Sequence, residues 1–187
     1  VLALVDDAHT HALWPHRFAA RMTIVMGDEL ALELALQNRG NSAFSCEFAL
    51  HSYFPVSDVR AVEVAGLAGK SFVDKLQPSL PAQTDLSSAL RFGAETDRVY
   101  TQVDASLRLH DPQAGSEICM DAGACRSVIV WNPWAEKCAT FTDMAADAWQ
   151  QMLCVEHGNV GVDALQFAAG ETRVFNLRLH RQPAGAD

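Results

Sequence analysis

An all-β sandwich is the fold class that the sequence predicts, on three observations. Apolar residues recur with period two along several segments, as strands with one buried face require. Turn residues punctuate those segments at short intervals. Little helical pattern stands between them. The 187 residues are 49% hydrophobic and 20% charged. That is the length of one domain and an ordinary globular composition, so disorder, collagen-like and coiled-coil readings are set aside. Residues 1–187 are read as a single β-sandwich domain.

Taken in order, Val1–Val5 is apolar, lacks an initiator Met and is followed at once by Asp6 and Asp7. With no basic region before it, the stretch does not read as a signal peptide, and the chain reads as beginning inside a strand. Phe18–Met26 and Leu30–Leu36 read as a hairpin about Gly27-Asp28. Leucines stand at 30, 32, 34 and 36, with Ala, Glu and Ala between them. Ala, Leu and Glu are good helix formers, but a helix would scatter those leucines around its circumference, so the strand is preferred. Asn38-Arg39-Gly40-Asn41 closes the hairpin. Phe44–Tyr53 and Val59–Val64 follow as strands, then a turn at Gly66–Gly69 and a loop over Gln77–Ser88. Tyr100–Leu109 reads as one strand with Val103, Ala105, Leu107 and Leu109 on one face. Asp111-Pro112, Gly115, Asp121-Ala122-Gly123 and Ala169-Gly170 read as turns. Ser127–Trp131 is β-branched, Met144–Met152 reads as a helical turn, and Arg173–His180 alternates again. The tail after His180 reads as frayed.

Fourteen basic residues against 23 acidic ones give a net charge of −9. Such a balance offers no footprint for nucleic acid and disfavours an anionic membrane surface. No apolar run approaches the roughly 18 residues of a membrane span. The five cysteines, 46, 119, 125, 138 and 154, are odd in number and form no CxxC pair, so they read as buried, reduced thiols of a cytoplasmic protein.

Candidate chemistry is sparse. His9 and His11 would share one face of a strand, with His16 as a conceivable third metal ligand. No carboxylate or Cys cluster completes that shell locally, so the three read as solvated loop histidines and no metal is expected. Gly66-Leu67-Ala68-Gly69-Lys70-Ser71 ends like a phosphate loop but lacks its leading spacing. Three other constellations stand out. His51 lies among aromatics in Leu50-His51-Ser52-Tyr53-Phe54; taken alone, it reads better as a structural histidine. Asp97 lies in the charged Glu95-Thr96-Asp97-Arg98, for which a solvated turn is the plain reading. Glu156 lies in the apolar Cys154-Val155-Glu156-His157. A carboxylate in an apolar strand is costly unless paired or working. One imidazole and two carboxylates would make a general acid–base site. His157, next to Glu156, alternates to the opposite face and is left out.

The segments LHSYFPVSDVRAVEVAGLAGKSFVDKL (50–76), ETDRVY (95–100), VIVWNPWAEKCATFTDMAADAWQQMLCVEHGNV (128–160) and AAGETRVFNLRL (168–179), in that order, closely resemble the hexose-6-phosphate mutarotases. These form the glucose-6-phosphate 1-epimerase branch of the aldose 1-epimerase family. The resemblance runs from about Ala12 to Leu179. It implies a galactose-mutarotase-like β-supersandwich, of which this chain is the C-terminal portion, and an isomerase that interconverts the α and β anomers of an aldohexose, such as glucose 6-phosphate. It implies that Glu156 takes the proton from the C1 hydroxyl, that His51 protonates the ring oxygen, and that Asp97 hydrogen-bonds sugar hydroxyls. Trp131 or Trp134 would wall the sugar ring. The partner is a sugar or sugar phosphate, and no metal or organic cofactor is implied.

Family members are longer at the N-terminus. The part without a counterpart here carries half of the sandwich, a second substrate-contacting histidine and the arginines that hold the sugar phosphate; Arg17 and Arg21 fall outside that motif. A sandwich short of strands exposes ladder edges and apolar faces. The chain is therefore expected to dimerise through them or to hold the missing segment as a separate piece. The alternative to an enzyme is a non-catalytic carbohydrate-binding module on the same fold, or an inactive fragment.

Overall fold

A computed structural model describes residues 1–104 and 106–185. In chain order the described strands are β1 (Leu2–Val5), β2 (Phe18–Met26), β3 (Leu30–Asn38), β4 (Phe44–Cys46), β5 (Phe48–Leu50), β6 (Tyr53–Pro55), β7 (Glu63–Ala65), β8 (Ser71–Asp74), β9 (Gln83–Thr84), β10 (Ala89–Arg91), β11 (Thr96–Thr101), β12 (Leu107–Asp111), β13 (Ser116–Gly123), β14 (Ser127–Asn132), β15 (Met152–Asn159), β16 (Leu165–Phe167) and β17 (Thr172–Pro183). Between them lie helices α1 (Ala8–Leu13) and α2 (Trp134–Cys138) and 3-10 turns at Ala148–Gln151 and Gly161–Asp163.

One sheet runs β1-β2-β3-β17-β13-β12-β7-β10 and the second runs β5-β15-β14-β11-β8-β9, with β6 also pairing β15. β4 and β16 form a separate pair. Every described pairing is antiparallel. The main core lies between the two large sheets, where Val64, Leu107, Leu109 and Met120 meet Tyr100, Val130, Leu153 and Val155. A second cluster joins Leu34 and Phe175 to Phe44, Leu165 and Phe167 of the small sheet. Burial of these side chains, about 1.5–3 kcal/mol each, is the main force holding the sheets together.

The hairpin of β2 and β3 forms as its leucine alternation requires, with Leu34 opposite Met22 and Phe175. Other segments divide where one strand was expected. Phe44–Tyr53 becomes β4, which pairs β16, and then β5, which pairs β15; Tyr53 itself begins β6. Tyr100–Leu109 crosses from one sheet to the other, turning at Gln102 with φ 54°. Both halves bury one face, so their alternation hides the crossing; Ala105 lies outside the described residues. Of Val59–Val64 only the last two residues enter a strand, although Val59 and Val62 are buried. The helical turn expected over Met144–Met152 is a 3-10 turn at Ala148–Gln151, and Met152 already starts β15.

Two expectations are overturned by β13. Asp121-Ala122-Gly123 is its last stretch rather than a turn, paired with Arg178, Leu177 and Asn176. The same pairing carries β17 through Pro183, opposite Ser116, so the tail is ordered that far. The histidines near the N-terminus also differ from expectation. Asp7 and Thr10 form a reciprocal cap, each side chain accepting the other's backbone N–H at 2.8 Å, and this starts α1. On a helix, positions i and i+2 diverge, so His9 and His11 do not share a face. His11 instead lies 3.1 Å from the Asp6 carboxylate, and His16 packs against Trp14 and Phe44. Cys119, Cys125, Cys138 and Cys154 are buried and Cys46 is half-buried; all five are free thiols.

β5 packs under β17 through Phe48 and Phe175, whose ring centroids are 4.6 Å apart. Beyond β5 the second sheet has no further strand among the described residues. Leu2, Leu4, Ile24 and Met26 share by register the face that buries Leu34 and Phe175, yet they remain exposed.

Candidate active site

All eight residues of β15 are buried. Its odd-numbered members Leu153 and Val155 enter the main core, so Cys154 and Glu156 occupy the opposite, outer face of the second sheet. Register carries that face across the neighbours. Glu156 lies opposite Ile129, which lies opposite Val99. Cys154 lies opposite Trp131, which lies opposite Asp97, and Tyr53 flanks Cys154 on the other side. His51 falls in the gap between β5 and β6. Leu50 opposes His157 on one side of the gap and Tyr53 opposes Cys154 on the other, and the register continued across it sets His51 opposite Glu156.

The two side chains meet there, with His51 Nε2 and Glu156 Oε1 3.1 Å apart. The carboxylate is 9% exposed and the imidazole 48%, so the acid lies in the floor and the imidazole stands at the rim. The His51 ring lies parallel to Tyr53, with centroids 4.6 Å apart and planes inclined by 10°. Trp131 meets it edge-on at 6.4 Å and is backed by Phe141 at 6.2 Å. Burial pushes the Glu156 carboxyl above its usual range; the His51 imidazole opposes that rise and the Asp97 charge adds to it. Asp97 is also pushed up by burial, against the pull of Lys137 and Lys75. Lys137 is held 3.0 Å from Glu95, two residues before Asp97. Cys154, beneath the site, is pushed up to about 12 by burial and the Glu156 charge, so it is a neutral, apolar part of the floor. Among the described residues, no group of three or more His, Cys, Asp or Glu is arranged to hold a metal ion.

The sequence profile of the aldose 1-epimerase family matches residues 1–180. The chain belongs to the aldose 1-epimerase family. A protein of Cenchrus ciliaris named "Putative glucose-6-phosphate 1-epimerase" is 30% identical over 148 residues, which cover 77% of this chain and 45% of that protein. The crystal structure of a mutarotase-named protein, YeaD of Salmonella typhimurium, superposes with a TM-score of 0.86 at 25% identity, covering 97% of this chain and 59% of that one. The galactose mutarotase-related enzyme of Lactobacillus acidophilus shares the fold, with a TM-score of 0.75 at 10% identity over 99% of this chain and 68% of that one. The chain spans about half the length of the curated relatives it matches.

In this aldose 1-epimerase family member, His51, Glu156 and Asp97 thus share one face of one sheet. His51 and Glu156 touch; Asp97 stands two strands across and two residues along from Glu156, roughly 12 Å between backbone positions by the spacing of strands and residues. Of the two tryptophans considered for the wall, Trp131 is beside His51. Trp134 turns inward at φ 56° and packs on Trp149 with centroids 4.3 Å apart. His157 faces the core, as alternation requires, and is 3% exposed. Two further residues of the site were missed from sequence. Tyr53 was within reach, since it lies two residues from His51 on a period-two stretch. Phe141 was not, because only the fold of residues 133–151 brings it to Trp131.

Proposed function

We propose that this chain carries the acid–base centre of an enzyme that interconverts the α and β anomers of an aldohexose, a hexose 6-phosphate such as glucose 6-phosphate. The observation that carries the reading is the pair at 3.1 Å, a buried carboxylate against a half-exposed imidazole at the rim of one sheet face. Glu156 is the base that takes the proton from the hydroxyl on C1. His51, protonated, gives its proton to the ring oxygen as the C1–O5 bond breaks. The open-chain aldehyde rotates about C1–C2, and reclosure on the other face of the carbonyl returns both protons with the roles reversed. No net proton is gained or lost, and the chemistry calls for no metal or organic cofactor.

The environment suits both roles. A carboxyl lifted by burial is a stronger base once ionised, and an imidazole can both give and accept a proton. Asp97 accepts hydrogen bonds from sugar hydroxyls beyond Trp131, and the Trp131 ring offers an apolar wall for the C–H face of the sugar. The names of the relatives favour the 6-phosphate. A cytoplasmic site belongs to the same reading. The uncovered apolar face of β1 and β2 is part of it too: either a second copy or the remaining portion of a full-length relative covers Leu2, Leu4, Ile24 and Met26.

Anomer-exchange NMR tests the activity. Exchange of glucose 6-phosphate should speed up with added protein, and faster than that of glucose; no acceleration of either sugar refutes the reading. Light scattering tests the partner, since a well-behaved monomer of the 187-residue chain counts against both modes of covering.

A further inference from the structure

We propose that Tyr53 is a positioning residue for His51, setting the plane of the imidazole that protonates the sugar ring oxygen; this rests on the anomer-exchange reading above. His51 sits in the gap between β5 and β6, and its side chain is 48% exposed, so core packing does not hold the ring. The 3.1 Å approach to the Glu156 carboxylate holds one nitrogen near the acid. A single such contact leaves the ring free to turn about the line joining the two atoms. Tyr53 removes that freedom by lying parallel to the imidazole, with centroids 4.6 Å apart and planes inclined by 10°. Its backbone is in turn fixed opposite Cys154, on the strand that carries Glu156.

The neighbour Phe54 shows the contrast. It is buried in the main core, whereas Tyr53 is 56% exposed. Tyr53 therefore adds little to the core, and its ring is spent on the catalytic rim. Proton transfer falls off steeply when donor and acceptor are misaligned, so an imidazole with a fixed plane transfers faster than one that samples several.

The test compares Tyr53→Leu and Tyr53→Phe by steady-state anomer exchange and by NMR of the His51 ring, whose signals are assigned by their loss in His51→Asn. Tyr53→Leu should lower kcat about tenfold with KM within about twofold, as expected for an interaction of one aromatic pair felt in the transition state. The His51 ring signals should lose the upfield shift that the stacked aromatic imposes. Tyr53→Phe should restore both. Unchanged kcat and unchanged ring signals in Tyr53→Leu overturn the proposal. So does a Tyr53→Phe variant as slow as Tyr53→Leu, which would assign the role to the hydroxyl. If the wild-type protein does not accelerate anomer exchange, the enzymatic reading fails. The ring signals then still decide whether Tyr53 orients His51.

Discussion

Glu156 and His157 are adjacent on β15 and stand on opposite faces of its sheet. Glu156 faces outward and meets His51, while His157 is sealed against the core between Val128 and Leu50, with neither ring nitrogen partnered among the described residues. One step along a strand thus separates the carboxylate proposed as the base from a buried neutral imidazole. Burial pushes His157 down to about 4, so the folded protein resists its protonation.

That resistance has a sign. The unfolded chain protonates His157 near 6.5, the folded one only near 4. The folded state is therefore at full stability above 6.5 and loses it as pH falls towards 4. At 1.36 kcal/mol per unit the loss approaches about 3 kcal/mol. Urea midpoints measured across that range should fall steeply for the wild type and less steeply for His157→Phe.

Glu156→Gln removes the proposed base at nearly constant volume. Anomer exchange should fall by about 10²–10⁴-fold, with sugar binding retained in calorimetry. Unchanged turnover would refute the mechanism.

His51→Asn should slow exchange to a similar degree. His9→Ala and His11→Ala should leave the rate unchanged, because α1 turns their rings apart and His11 is committed to Asp6. A metal-dependent rate lost in those two variants would revive a metal site at the N-terminus.

The raised Glu156 carboxyl has a kinetic counterpart. The proposed base acts only when ionised, so kcat/KM should fall on the acid side at a pH above the ordinary carboxylate range. The Asp97 charge contributes to that rise. Asp97→Asn should therefore move the acid limb to lower pH while weakening sugar binding; a limb that stays in place counts against the coupling.

Gly158 is where β15 admits β5. A Cβ there would stand 2.1 Å from the Phe48 carbonyl oxygen and 2.7 Å from Ala49 Cα, both backbone atoms that cannot rotate away. Gly158→Ala should cost about 1–3 kcal/mol of stability and should depress turnover as well, because β5 leads into His51. Chemical denaturation and the exchange assay read the two effects separately.

Periodicity by itself determined which residues of a segment share a face. It found the β2–β3 hairpin from four leucines, and it separated Glu156 from His157 correctly. The apolar setting of Glu156 marked it as a residue needing a partner, and the order of four motifs pointed to the family. Only the tertiary structure decided which sheet each strand joins. The division of Phe44–Tyr53, the crossing at Gln102 and the extension of β17 along β13 all follow from pairing with distant strands. A period of two reports that one face is buried and says nothing about the identity of the neighbour. The contact of His51 with Glu156 and the stack of Tyr53 on His51 belong to that second class. Both depend on the register of β5 and β6 along β15, which is set by backbone hydrogen bonds between segments far apart in the chain.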